Sequence, residues 1–199
     1  MLTVYLLRHG ETAYNADGNR YCGTTDIGLT EKGLRQAGAI AQSINKIQFD
    51  AVYASPLQRA YHTAKLASDN KYTVIKDERL LELDFGHWEG KTRAEFVAEN
   101  PLLWEQWDTA PERYRAGGNG NTATEIVERV DNFLMEMLSK HIEGTILVVA
   151  HNTVNRLYLA YKLGMPLRNY RRIVQENSAI TSFSLNNQGE LMLHQLNAH

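Results

Sequence analysis

A chain of 199 residues is long enough to bury one well-filled core, and 43% hydrophobic with 22% charged residues argues against a disordered polymer and against a membrane-embedded protein. The 21 Lys and Arg against 23 Asp and Glu leave a formal charge of -2, so no nucleic-acid or membrane partner is expected and any anion site must be local. Cys22 is the only cysteine; it rules out an intrachain disulfide and a CxxC metal site, and fits a reducing, cytoplasmic setting.

The first predicted element is an apolar, β-branched strand ending in Leu6-Leu7, too short for a signal-peptide core or a membrane span. It runs into Arg8-His9-Gly10-Glu11. Reactive side chains at a strand tip sit where open α/β sheets place ligands. Thr30 is placed to cap a helix opening with Glu31 and presenting Leu34, Ala37, Ile40, Ala41 and Ile44 on one face. A second strand, Phe49 to Ser55, leads into Ser55-Pro56, read as a cap with proline at the first helical position. Leu57, Ala60, Tyr61 and Ala64 form the face of that helix.

From about residue 82 to 121 the rhythm breaks. This stretch holds all three tryptophans, Pro101, Pro111 and the cluster Gly117-Gly118-Asn119-Gly120, with no strand pattern. It reads as an insertion covering the strand tips, its aromatics packing together more readily than stacking on a ligand. Ile126, Val130, Phe133, Leu134, Met137 and Leu138 then mark an amphipathic helix, followed by a strand from Thr145 to His151. Another helix spans about Thr153 to Leu163, stopped by Gly164 with Pro166 beyond, and a hairpin closes the chain around Asn186 to Gly189. Alternating strands and helices predict one α/β domain over residues 1–199, with helices on both faces of a mostly parallel, mixed sheet.

Three strands deliver ionisable groups to the same side: Arg8 and His9 from the first, Arg59 from the helix after the second, His151 from the third. His151 opens a helix, whose free N–H groups favour an anion. Arginine forks suit phosphate oxygens. Phosphoryl transfer asks mainly for positioning and charge neutralisation, which two arginines supply without magnesium, so neither metal nor cofactor is expected. Neutral imidazole can attack phosphorus, and the Glu82 segment supplies carboxylates for proton transfer. No two histidines have zinc-ligand spacing on one helix face. His62, His141, His194 and His199 read as surface residues, His87 as pocket or structure with equal weight, and Cys22 as a small packed residue near the site. Arg113 and Arg115 are either solvated or aimed at a second anionic group on the substrate.

Arg8-His9-Gly10-Glu11-Thr12, Ser55-Pro56-Leu57-x-Arg59-Ala60-x-x-Thr63-Ala64, Glu82-x-x-Phe85-Gly86-x-Trp88-Glu89-Gly90 and Val149-Ala150-His151, in that order, resemble the histidine phosphatase superfamily in its phosphoglycerate-mutase-like branch. The resemblance implies a three-layer α/β/α fold. His9 would be the nucleophile, Arg8, Arg59 and His151 would hold the phosphoryl group, Asn15 would add a hydrogen bond, and Glu82 would be the proton donor. Gly10, Arg20, Thr24 and Asn152 complete the expected substrate-binding set. Departures are Ile27-Gly28 where a pair with proline is usual, Ala150 where a hydroxyl is common, Asn152 where glycine is common, and Gly118 to Thr122 where many relatives carry Gly-Glu-Ser. The implied activity is metal-independent hydrolysis of a small phosphorylated metabolite. The alternative is a mutase, which the chain's modest length disfavours. A non-catalytic phosphate-ester sensor would be marked by loss of His9 or Glu82, and both are present. The sequence leaves substrate identity and oligomeric state open.

Overall fold

A computed structural model describes residues 1–199. Its strands are β1 (Leu2–Arg8), β2 (Ala51–Ala54), β3 (Val74–Lys76), β4 (Thr145–Ala150), β5 (Ile180–Leu185) and β6 (Leu191–Ala198). Its α-helices are α1 (Ala13–Ala16), α2 (Glu31–Ser43), α3 (Gln58–Ala67), α4 (Arg93–Glu99), α5 (Pro101–Thr109), α6 (Ala123–Lys140) and α7 (Asn152–Lys162). The strands form one sheet in the order β3-β2-β4-β1-β5-β6. Neighbours from β3 to β1 are parallel, whereas β5 is antiparallel to β1 and β6 to β5. The sheet is mixed, as the strand and hairpin patterns predict.

Alternating side chains divide the core between the two faces. Leu2, Val4 and Leu6 of β1 with Ile146 and Val148 of β4 join the cluster under α6 and α7. Leu7 with Leu147 and Val149 joins the cluster that includes Ile40 of α2 and Ala60 and Ala64 of α3. Central strands buried on both faces need the near-continuous apolar runs seen in β1 and β4.

Local signals for α2, α6 and α7 match the structure. Thr30 accepts a hydrogen bond from the Gly33 N–H, and Ala37, Ile40 and Ile44 are buried, although Leu34 faces solvent. The start of α3 departs from the Ser55-Pro56 reading. The helix begins at Gln58, and its cap comes from another loop: Asp26 Oδ1 accepts the Gln58 N–H at 2.8 Å. β3 had no periodic signal because it is a three-residue edge strand, half-buried at most.

The stretch from 82 to 121 carries α4 and α5, and its aromatics pack together. Trp88 stacks on Phe96 with ring centroids 4.6 Å apart, and both lie in the same apolar cluster as β1, α6 and α7. The glycine cluster has a backbone reason. Gly117 has φ +58° and a Cβ there would lie 2.1 Å from the Phe85 carbonyl oxygen, so residues 84–87 and 116–121 cross in direct main-chain contact. The bond from Asn121 N–H to Asp84 O, 3.0 Å, seals the crossing. No helix is long and apolar enough to cross a membrane.

Trp107 is fully buried in this segment. Trp107→Ala is expected to cost about 3–5 kcal/mol in urea denaturation. A loss below about 1 kcal/mol would contradict the segment's place in the core.

Candidate active site

At the tip of β1, His9 N–H extends the parallel ladder to Ala150 O (3.1 Å), and Asn177 Nδ2 donates to His9 O (3.0 Å). The imidazole Nδ1 lies 2.7 Å from Gly10 O. A carbonyl only accepts, so Nδ1 carries the hydrogen and Nε2 keeps its lone pair. Gly10 makes this possible by position: a Cβ there would lie 2.5 Å from Gly33 O, so only glycine lets the tip of β1 abut the first turn of α2.

His151, at the end of β4, is fully buried, its ring centroid 5.2 Å from that of His9. Arg59 Nε donates to His151 Nδ1 at 3.2 Å. Because guanidinium only donates, Nδ1 is the acceptor here and Nε2 carries the hydrogen, with no partner in the protein. Burial first, then the charges of Arg59 and other neighbours, holds both imidazoles well below their ordinary pKa. Both are neutral near pH 7.

The remaining expected residues fall into distinct places. Arg8 lines a cavity of about 290 Å³ together with His9 and Glu82. It donates to Gln175 O, and burial lowers its pKa only to about 10, so it stays charged. Arg59, like His151, is fully buried and outside the cavity lining. Besides His151, it donates to Thr25 O (2.8 Å), Cys22 O (3.2 Å) and Gly23 O (2.8 Å), so in this conformation it clamps the loop instead of offering a free fork to a phosphoryl group. Asn15 lines the cavity with its Oδ1 engaged by Thr12 and Asn177, which leaves its NH₂ as the group to present.

Glu82 changes the reading of the α7 N-terminus. Its carboxylate accepts from the N–H groups of Thr153 (3.1 Å), Val154 (3.0 Å) and Leu83 (2.9 Å), so two of the helix's free donors are taken by the protein itself. Asn152 remains at the cavity wall. Burial raises the Glu82 pKa against the pull of those hydrogen bonds.

Gly10 and Thr24 lie outside the cavity wall, Gly10 as a packing position and Thr24 as an exposed residue. Arg20 reaches the rim already paired with Asp17 and Glu95. His87 and His62 are exposed, and His141 shares a 2.8 Å hydrogen bond with the Tyr53 hydroxyl. Cys22 lines the wall, its thiol pushed up to about 11 by burial. Arg113 and Arg115 are exposed away from the cavity, Arg115 paired with Glu125. Sequence reasoning missed Arg93, Arg156 and Arg171, which line the cavity. The run Arg168-Asn169-Tyr170-Arg171-Arg172 was the available signal.

Residues 4–198 match the histidine phosphatase superfamily (branch 1). Phosphoserine phosphatase 1 of Hydrogenobacter thermophilus is 30% identical over 97% of this chain and 91% of its own length. The probable phosphoglycerate mutase GpmB of Yersinia pestis is 32% identical over 91% of this chain and 84% of its own. The structure of Bacillus stearothermophilus YhfR superimposes with a TM-score of 0.90 at 27% identity, covering 100% of this chain and 98% of that one. The chain belongs to the histidine phosphatase superfamily, a family whose chemistry passes through a phosphohistidine.

The depressed pKa of His9 has a stability consequence. Below about pH 6.5 the unfolded chain protonates this imidazole while the folded protein does not, so its contribution to stability is lost as pH falls. The stability difference between a His9→Asn variant and the parent is expected to move in the variant's favour from pH 7 to pH 5 in urea titrations. Movement the other way would mean a folded His9 that is cationic.

Proposed function

We propose that this protein is a metal-independent phosphomonoesterase with His9 as nucleophile. The observation that carries the reading is the Nδ1–H to Gly10 O bond, which leaves Nε2 unprotonated beside the cationic Arg8. Nε2 attacks phosphorus in line, the N–P bond forms and the bond to the leaving oxygen breaks. Protonated Glu82 donates its proton to that oxygen. Water, deprotonated by the resulting carboxylate, then attacks the phosphohistidine, releases inorganic phosphate and restores both groups.

Arg8, the Nε2–H of His151, the NH₂ of Asn15 and Asn152 are the donors assigned to the phosphoryl oxygens. Arg59 acts on the transfer by positioning: it orients His151 and holds the Cys22–Thr25 loop. Positive charge from arginine takes the role a metal would otherwise fill.

A mutase reading is favoured by the relative carrying that name, whose length is comparable, so chain length does not separate the two. The acceptor of the phosphoryl group does.

Alkaline quench during turnover of a ³²P-labelled ester is expected to trap label on His9, with inorganic phosphate as the product and no effect of chelator. His9→Ala should carry no label, and Glu82→Gln should lower kcat by about 10²–10⁴-fold. An isomeric phosphate ester in place of inorganic phosphate would establish the mutase. Label retained in His9→Ala would overturn the assignment.

Burial moves His9 down and Glu82 up, which brings the pH range of the attacking imidazole and that of the donating acid toward each other. The acid limb of kcat/KM is therefore expected below pH 6.5. A limb above that value would contradict a depressed His9.

A further inference from the structure

Between the helical turn at Leu167–Arg172 and β5 runs an irregular segment, and its residues Gln175 to Ser178 reach three residues of the proposed reaction. Gln175 O accepts from Arg8 Nη1 at 2.9 Å, and Ser178 N–H donates to Arg8 O at 3.1 Å. Asn177 Nδ2 donates to His9 O at 3.0 Å and to Asn15 Oδ1 at 3.3 Å. Asn177 itself lies outside the cavity lining. Without it, His9 O would keep only a 3.4 Å bond from the Ser178 N–H.

Backbone groups fix which way both amides point. His9 O can only accept, so Asn177 faces it with nitrogen. Thr12 N–H can only donate, so the Asn15 atom 3.1 Å from it is the oxygen. The two hydrogens of one NH₂ group therefore join the main chain of the nucleophile to a side chain assigned to the phosphoryl oxygens. The chain accepts strain to deliver that group: Ser178, buried and not glycine, has φ +58°, in the left-handed region that a residue with a Cβ rarely adopts. Beyond the Leu7–Ile180 pair of β1 and β5, the Asn177 side chain does for His9 O what a strand partner would otherwise do. The segment is anchored from behind, where Asn197 Oδ1 of β6 accepts the Glu176 N–H at 2.7 Å.

We propose that Asn177 is a positioning residue: its amide sets the separation of His9 and Asn15, and so the distance between the attacking nitrogen and a group that holds the phosphoryl oxygens. This rests on the phosphomonoesterase reading for the roles of His9 and Asn15. Asn177 touches no substrate and acts only through these two residues.

The test uses Asn177→Leu, which keeps the side-chain size without a donor, and Asn177→Ala, both assayed below the onset of urea unfolding. With 4-nitrophenyl phosphate each should lower kcat by about tenfold or more, the cost of a slightly misplaced reacting group. The readout that a purely structural role would not move is a double-mutant cycle on the Kd of inorganic phosphate. Asn177→Ala should raise that Kd about fivefold in the parent, and less than about twofold in the Asn15→Ala background, where the bond that transmits the effect is already gone. A parent that shows this coupling but turns over no phosphate ester sinks the phosphatase reading and keeps the tie. A kcat within about threefold of the parent's in either variant, or equal losses of phosphate affinity in the two backgrounds, overturns the role of Asn177.

Discussion

A single hydrogen bond, from His9 Nδ1–H to the carbonyl of the next residue, sets the chemistry available to this fold. It decides which ring nitrogen has a lone pair. The bond needs a main chain that turns sharply at the end of β1 and passes against α2, and that approach tolerates no side chain at position 10. The Gly10 N–H is in turn held by Thr63 Oγ1 of α3 at 3.0 Å, and Thr63 donates to Arg59 O. The tautomer of one imidazole is thus tied to the packing of two helices.

Burial acts in opposite directions on the pKa values of the two groups proposed as nucleophile and proton donor. It disfavours the charged form of each, which means imidazole for His9 and carboxylic acid for Glu82. Burial therefore pushes both groups of this cavity toward their neutral forms. Glu82 is aimed by N–H groups of α7, the helix that follows His151, so the relative placement of acid and imidazoles is built into one strand-helix junction.

The parts of the structure legible in the sequence are those with local causes. β1 and β4 announced themselves as buried apolar runs, α2 through its Thr30 cap, and α6 through its helical stripe. Arg8, His9 and His151 stood at the ends of such elements, and His9 and His151 do meet. What was illegible is non-local. The cap of α3 is Asp26, distant in the chain; the partners of Arg59 are carbonyls of residues 22, 23 and 25; and the α7 N-terminus is filled by Glu82 from across the sheet. Arg156 and Arg171 look like ordinary surface cations until the fold brings them to one cavity wall with Arg93.

The most direct measurement is ¹⁵N NMR of the His9 side chain in the resting protein at pH 6.5. A neutral ring protonated on Nδ1, with an unprotonated Nε2, is the predicted result. A proton on Nε2, or an imidazolium at that pH, would contradict the nucleophile assigned to His9.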